Sequence, residues 1–305
     1  MIRHPIEFDD VHRWFGGLAV LQGLTFRVEP GTVYALLGRN GCGKTTALRI
    51  LLGFLAAHHG HSAVLGERSD ALSATARARI GYVGEDHRLY PTMSVADAIA
   101  FEAGTRPGFR REFAADALRR CGLRGRQRIP MLSRGQRAQL AIVLAVAADP
   151  AVLVCDDPAL GLDVVMRREL LDVLIDLLSD SGATVLFSSH FLNDVERIAD
   201  RVGILHDGAL LVDASLDDLK RRVRRCAFEP RLADAAPQGQ VVLRARRRQG
   251  GFDVVLLDPT PLHLAELRSQ GELSEPEALP LEELFLALVG PDQRGLVAAA
   301  EQEVA

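Results

Sequence analysis

Apolar residues recur along this chain with two periods, and the periods mark out its elements. In the first thirty residues the short stretches Ile6–Val11 and Val20–Val28 close on Glu29-Pro30-Gly31. This reads as antiparallel strands expected to flank the strand that follows. That strand is Val33-Tyr34-Ala35-Leu36-Leu37, and beyond a glycine-rich loop Thr46–Leu52 reads as a helix. His58-His59-Gly60-His61 is expected to form a solvated turn, since no cysteine or nearby carboxylate completes a metal site. Residues 92–128 are helical in period, with breaks at Gly104, Pro107-Gly108 and Gly122, and a helix over 133–148 turns Leu140, Val143 and Leu144 to a core. Then the chain alternates. A strand over 151–155 runs into Asp156-Asp157, followed by a helix from Met166 to Ser179, the strand Thr184–Ser188 and a helix after Asn193. Val202–His206 and Ala209–Asp213 form a hairpin around Asp207-Gly208. Strands this apolar are buried on both faces, so the pattern predicts an α/β sheet with its ligand at the carboxyl ends of the strands.

From about residue 221 the character changes. Arg221-Arg222-Val223-Arg224-Arg225 reads as a solvated hinge leading into two strands, Val241–Arg247 and Phe252–Leu257. A helix over 261–270 and an amphipathic one from Leu281 follow. Two domains are therefore expected, 1–220 and 221–305.

Composition narrows the setting. With 48% apolar and 25% charged residues over 305 positions, the chain matches ordinary globular proteins. A net charge of −4 with no basic or acidic tail gives no case for a nucleic-acid partner. The longest apolar run, Leu140–Ala148, is far too short to span a bilayer, and Met1–Pro5 lacks the apolar core of a signal peptide. Four scattered cysteines with no C-x-x-C pair suit a reducing compartment. A cytoplasmic location is expected, with any membrane role supplied by a partner.

The chemistry begins in the glycine-rich loop. Of thirty-six basic residues only two are lysine, and one stands in Gly38-Arg39-Asn40-Gly41-Cys42-Gly43-Lys44-Thr45. G-x-x-x-x-G-K-[ST] between a strand and a helix is a phosphate-binding P-loop, whose glycines let backbone N–H groups converge on phosphates. A compact ammonium on a flexible stem reaches the β- and γ-phosphates, where a planar guanidinium is too wide and rigid. Thr45 is expected to place its hydroxyl on Mg²⁺ at a helix N-terminus that favours the anion. A nucleoside triphosphate is the implied ligand.

Leu132-Ser133-Arg134-Gly135-Gln136 lies just ahead of the apolar strand ending at Asp156. With this segment the sequence resembles the ATP-binding cassette family, the ATPase subunits of ABC transporters, over residues 5 to about 220. Phe15, before Gly16, matches the aromatic that stacks on adenine, with Trp14 a rival. Gly38–Thr45 matches Walker A, Ile80–Glu85 the Q-loop, Leu132–Gln136 the signature and Val152–Asp157 Walker B. Gly161-Leu162-Asp163 matches the D-loop and Ser188-Ser189-His190 the switch histidine. The resemblance implies an α/β fold, a P-loop ABC-ATPase core with an antiparallel β subdomain and a helical subdomain, plus a small α+β C-terminal domain. It implies that ATP is held by Phe15, by Gly38, Arg39, Asn40, Gly41, Cys42, Gly43, Lys44, Thr45 and Thr46, and by Asp163. Ser133, Gly135 and Gln136 would complete the site of a second cassette closing head to tail. Mg²⁺ falls to Thr45, Glu85 and Asp156, and catalysis to Asp157, His190 and Lys44.

Three residues depart from the family pattern. Asp157 replaces the usual glutamate after the Walker B aspartate and is one methylene shorter. A general base contributes about 10²–10⁴ in rate, so a slow ATPase, or one paired with a more competent cassette, is a consequence. Glu85 replaces a glutamine and adds negative charge near the metal. Arg134 replaces the first signature glycine, which is expected to be tolerated because Ser133 and Gly135 make the phosphate contacts. Leu279–Leu286 is similar to the segment ending ATPase subunits of bacterial exporters of drugs, polysaccharides or lipids. The implied protein is an exporter ATPase, docked under an integral membrane permease on the inner face of the membrane and working as a dimer of cassettes. Two alternatives stand beside it: a regulatory cassette that binds ATP and hydrolyses it slowly, and a non-transport ABC ATPase. Against the second, the span from Lys44 to Leu132 leaves no room for long coiled coils, and the chain has one cassette.

Overall fold

The computed structural model describes residues 3–179, 181–231 and 236–290. By backbone proximity the chain divides into two compact units, Met1–Asp213 and Ala214–Ala305, so the boundary falls a few residues before the expected one.

The first unit opens with β1 (Ile6–Phe15) and β2 (Leu18–Val28), then β3 (Val33–Leu37) and α1 (Lys44–Leu51). β4 (His59–Val64), β5 (Glu67–Arg68), α2 (Ala74–Ala78) and β6 (Ile80–Val83) follow. A helical stretch carries α3 (Val95–Thr105), α4 (Arg111–Arg120) and α5 (Arg134–Ala147). The alternation resumes with β7 (Val152–Asp156), α6 (Val164–Ser179), β8 (Thr184–Ser189), α7 (Leu192–Ile198), β9 (Arg201–His206) and β10 (Ala209–Ser215).

These strands make two sheets. The larger has the order β10-β9-β3-β8-β7-β6, and its β9-β3-β8-β7-β6 stretch is parallel. The continuous apolar runs explain this: all of β7 and β8 is buried, as parallel strands covered on both faces must be. β9 and β10 turn at Asp207-Gly208, where both residues take positive φ (46° and 80°) as a two-residue hairpin requires. The smaller sheet, β2-β1-β4-β5, is antiparallel where its pairings are resolved. Here two expectations fail. β1 and β2 do not flank β3, whose neighbours are β8 and β9. They pair with each other and lie against β3 through a stack of rings, Phe8 on Phe26 at 4.6 Å and Phe26 on Tyr34 at 5.0 Å. And His59–His61 is not a turn but the start of β4, held by backbone pairing of His61 with Asp9 and His59 with His12.

The second unit contains α8 (Leu216–Arg222), β11 (Val223–Pro230), β12 (Val242–Arg248), β13 (Gly251–Leu257), α9 (Pro261–Gln270), β14 (Gly271–Leu273), β15 (Glu277–Ala278) and α10 (Leu281–Val289). Its sheet runs β12-β13-β11-β14, with β15 also on β11. The arginine cluster read as a hinge therefore supplies the end of α8 and the start of a central strand. Val223, Cys226 and Phe228 of β11 are buried, while Arg225 reaches Glu283 at 3.0 Å. No helix among the described residues is long and apolar enough to cross a membrane.

Candidate functional site

The loop after β3 is shaped by contacts that exclude side chains. A methyl group on Gly38 (φ 158°) would fall 2.4 Å from Cys42 Sγ and 2.5 Å from the Leu205 carbonyl oxygen. One on Gly43 (φ 112°) would fall 2.8 Å from the Val20 carbonyl oxygen. Gly43 occupies the N-cap of α1 and offers no side chain to the first N–H groups of the helix, which leaves them to a ligand. Lys44 is buried, and its ammonium donates to the carbonyls of Gly38 (2.7 Å) and Arg39 (3.2 Å). The loop itself thus supplies the acceptors that a phosphate would offer. Burial pushes the Cys42 thiol up, which keeps it protonated as a packing group.

Two carboxylates meet this loop at the carboxyl end of β7. Asp156 Oδ1 accepts from Thr45 Oγ1 at 3.1 Å and from Ser188 Oγ at 2.8 Å. Ser188 Oγ in turn accepts the backbone N–H of Asp157 at 3.0 Å, so one buried hydroxyl on β8 fixes both aspartates. Asp157 is buried at φ 46°, a left-handed conformation that aspartate tolerates better than most residues. Its Oδ2 is held by His190 Nδ1, and its Oδ1 is buried without a hydrogen-bond partner among the described residues. Burial pushes its carboxyl above the usual carboxylate range, against the downward pull of His190.

A cavity of about 310 Å³ brings together Asn40, Lys44, Thr45 and Thr46 with Glu85, Asp156 and Asp157. His190 joins through Asp157. Gly41 and Gly43 also line it, whereas Phe15, Ser133, Gly135, Gln136 and Asp163 stand apart from this lining. Phe15 ends β1 exposed, with the Arg13 guanidinium 4.6 Å from its ring, while the Trp14 ring already stacks on His58 at 4.2 Å. Ser133 caps α5 and forms a reciprocal box with Gln136: its hydroxyl accepts the Gln136 N–H at 3.1 Å and its own N–H donates to Gln136 Oε1 at 3.0 Å. Gly135 is closely covered by Met166 of α6, whose Cε would lie 1.9 Å from an added methyl. Asp163 caps the start of α6 by accepting the Met166 N–H at 2.9 Å. Arg134 lies over the D-loop, since a methyl on Gly161 would fall 2.3 Å from its guanidinium.

Two residues were given no role by the sequence reading. Ser188 entered it only as the end of a strand and the start of the switch-histidine motif. His87 is buried two residues past Glu85, with its Nε2 2.6 Å from the Pro158 carbonyl oxygen, tying the loop after β6 to the segment after Asp157. Burial pushes its imidazole below the usual histidine range.

A family profile described as ABC transporter matches residues 21–160. The chain is 30% identical to the Nod factor export ATP-binding protein I of Paraburkholderia xenovorans strain LB400, a likeness covering 95% of this chain and 98% of that one. It is 29% identical to the bacitracin transport ATP-binding protein BcrA of Enterococcus faecalis over 74% of each chain. A solved ATP-binding subunit of an ABC transporter superposes with a TM-score of 0.63 at 28% identity, covering 71% of this chain and 92% of that one. A dimeric cassette, MJ0796 in a post-hydrolysis state with ADP and Pi, shares the fold at a TM-score of 0.61 and 22% identity, covering 69% and 98%. These likenesses run over most of the chain, and this chain belongs to the ATP-binding subunits of ABC transporters.

Proposed function

We propose that this ATPase powers export through a separate membrane permease, hydrolysing ATP at two composite sites shared with a second cassette. The observation that carries the reading is the division of labour in the first unit. The P-loop, Asp156 and Asp157 line one cavity, whereas Ser133, Gly135 and Gln136 form a capped helix start outside its lining. A complete site then needs the helix start of another copy. Export is supported by the likeness to the Nod factor export protein, which runs through the C-terminal unit as well.

Within this reading Lys44 leaves the loop carbonyls for the β- and γ-phosphates, a charge-assisted contact stronger than the neutral ones it replaces. Asp157 accepts the proton of the attacking water, and His190 holds that carboxylate while facing the γ-phosphate. Thr45, Asp156 and Glu85 offer an all-oxygen donor set that suits Mg²⁺, which would neutralise charge on the phosphates when bound. Phe15 offers adenine a π-face. A permease segment would dock beside the Q-loop, where two exposed aromatic pairs bracket Glu85 in sequence: Phe54 with Tyr82 (5.9 Å) and Tyr90 with Phe101 (5.1 Å). The membrane association of the chain then depends on that permease.

Mixing two inactive variants tests the composite site. Lys44→Ala spoils the P-loop and Ser133→Arg spoils the signature, so each homodimer lacks both sites. Equal mixing should recover about a quarter of the parental turnover by random pairing, since each heterodimer has one intact site. A mixture no more active than its components would refute the shared site.

A further inference from the structure

Behind His190 stands a group that the catalytic reading does not use. The Phe191 ring lies 3.8 Å from the His190 ring, tilted by 41°, and the Arg167 guanidinium lies 3.5 Å from the Phe191 centroid. Arg167 belongs to the first turn of α6, where its N–H donates to the Asp163 carbonyl at 2.9 Å. Its Nε sits 3.8 Å from Asp194 Oδ2 on α7, and neither atom has a hydrogen-bond partner among the described residues. A mostly buried guanidinium that forgoes a hydrogen bond at Nε is poorly explained as a stabilising strut, because burying charge costs more than a loose ion pair returns. Its planar stacking on a ring is something arginine does well. The imidazole it indirectly supports has two restraints: Asp157 at its Nδ1 edge and the Phe191 ring beside it.

We propose that Arg167 is a positioning residue, which through Phe191 holds the His190 imidazole against Asp157 and ties that placement to the D-loop residue Asp163. The inference rests on the reading of His190 as the group facing the γ-phosphate. Arg167 is outside the lining of the cavity that holds Lys44 and Asp157. It acts on the orientation of His190, and an imidazole displaced by a fraction of an ångström forfeits rate without loosening ATP.

Steady-state ATPase assays on the full chain, with ATP affinity from calorimetry, test this. Arg167→Met keeps the stem but removes the charged plane, and should lower kcat about tenfold with KM changed less than about twofold. Arg167→Lys returns a cation to the ring and to Asp194 without the plane, and should recover part of the loss. His190→Ala should lower kcat further, and adding Arg167→Met to it should change nothing more, because two residues acting through one group are not additive. Losses that multiply in the double variant would overturn the proposal, as would full activity of Arg167→Met. Should Arg167→Met lose its fold, Phe191→Leu removes the π-face at similar volume and must show the same non-additivity. Undiminished kcat in His190→Ala would remove the role of His190 itself, and the proposal with it. A loss in His190→Ala beside parental activity in Arg167→Met would remove the proposal alone.

Discussion

Asp157→Asn separates chemistry from structure at this site. The amide keeps an oxygen for His190 Nδ1–H and suits the left-handed φ of 46°, since asparagine tolerates that region as aspartate does. The backbone N–H stays bonded to Ser188 Oγ at 3.0 Å. What disappears is the proposed base. Loss of general-base catalysis is worth about 10²–10⁴ in kcat, or about 2.7–5.4 kcal/mol in the barrier. Stability should not follow the same course. Burial already disfavours the charged carboxylate, and Oδ1 is buried without a partner among the described residues, so a neutral amide relieves a cost that the native residue bears. The expected variant binds ATP as tightly as the parent, melts at an equal or higher temperature, and turns over at least a hundredfold more slowly by phosphate release. Asp157→Glu asks whether the short side chain leaves the base misplaced; lengthening it by one methylene should raise kcat, on the order of tenfold. A melting temperature that falls together with kcat in Asp157→Asn would make the residue structural. A glutamate variant slower than the parent would show that the loop is built for aspartate.

Two further outcomes follow from the contacts described. Lys44→Ala should abolish ATP binding in calorimetry with an unchanged circular dichroism spectrum, because among the described residues its ammonium donates hydrogen bonds to loop carbonyls; retained affinity would remove the P-loop argument. Phe15→Ala should cost about 1–3 kcal/mol of ATP affinity as a lost stack, and Trp14→Ala less, since the Trp14 ring is already engaged by His58; the reverse order would make Trp14 the adenine platform.

What was legible in the sequence was what neighbouring residues decide among themselves. The P-loop between β3 and α1, the Asp207-Gly208 hairpin and the bounds of α9 all depend on local pattern, and the structure has each in place. What was not legible depends on distant partners. His59-Gly60-His61 has no strand signature. It becomes β4 because β1 pairs with it, and a methyl on Gly60 would fall 2.0 Å from the Asp10 carbonyl oxygen, so close does that strand approach. The cluster Arg221–Arg225 looks solvated until β13 pairs with it and Glu277 and Glu283 arrive from more than fifty positions away. Ser188 and His87 have the same character, for their partners Asp156 and Pro158 lie 32 and 71 positions off.

The two halves of the proposed composite site differ in how far the chain satisfies itself. At the start of α5, Ser133 and Gln136 answer each other's hydrogen bonds, and Asp163 does the same for α6. That half is finished by local sequence, so it can be presented to a partner without rearrangement. The catalytic half is not finished. Among the described residues Asp157 Oδ1, Arg167 Nε and Asp194 Oδ2 are buried without hydrogen bonds, Asp157 holds a positive φ, and the Lys44 ammonium donates to backbone carbonyls. Orphaned polar atoms and strained backbone are costly, and those beside Asp157 and His190 fit a place where stability is given up for function. In the proposed function, phosphate and water would supply what that half lacks: acceptors for Lys44 and a donor for Asp157. ATP would then complete a hydrogen-bond network as well as fill a cavity, and hydrolysis, by splitting off the γ-phosphate, would undo part of that completion.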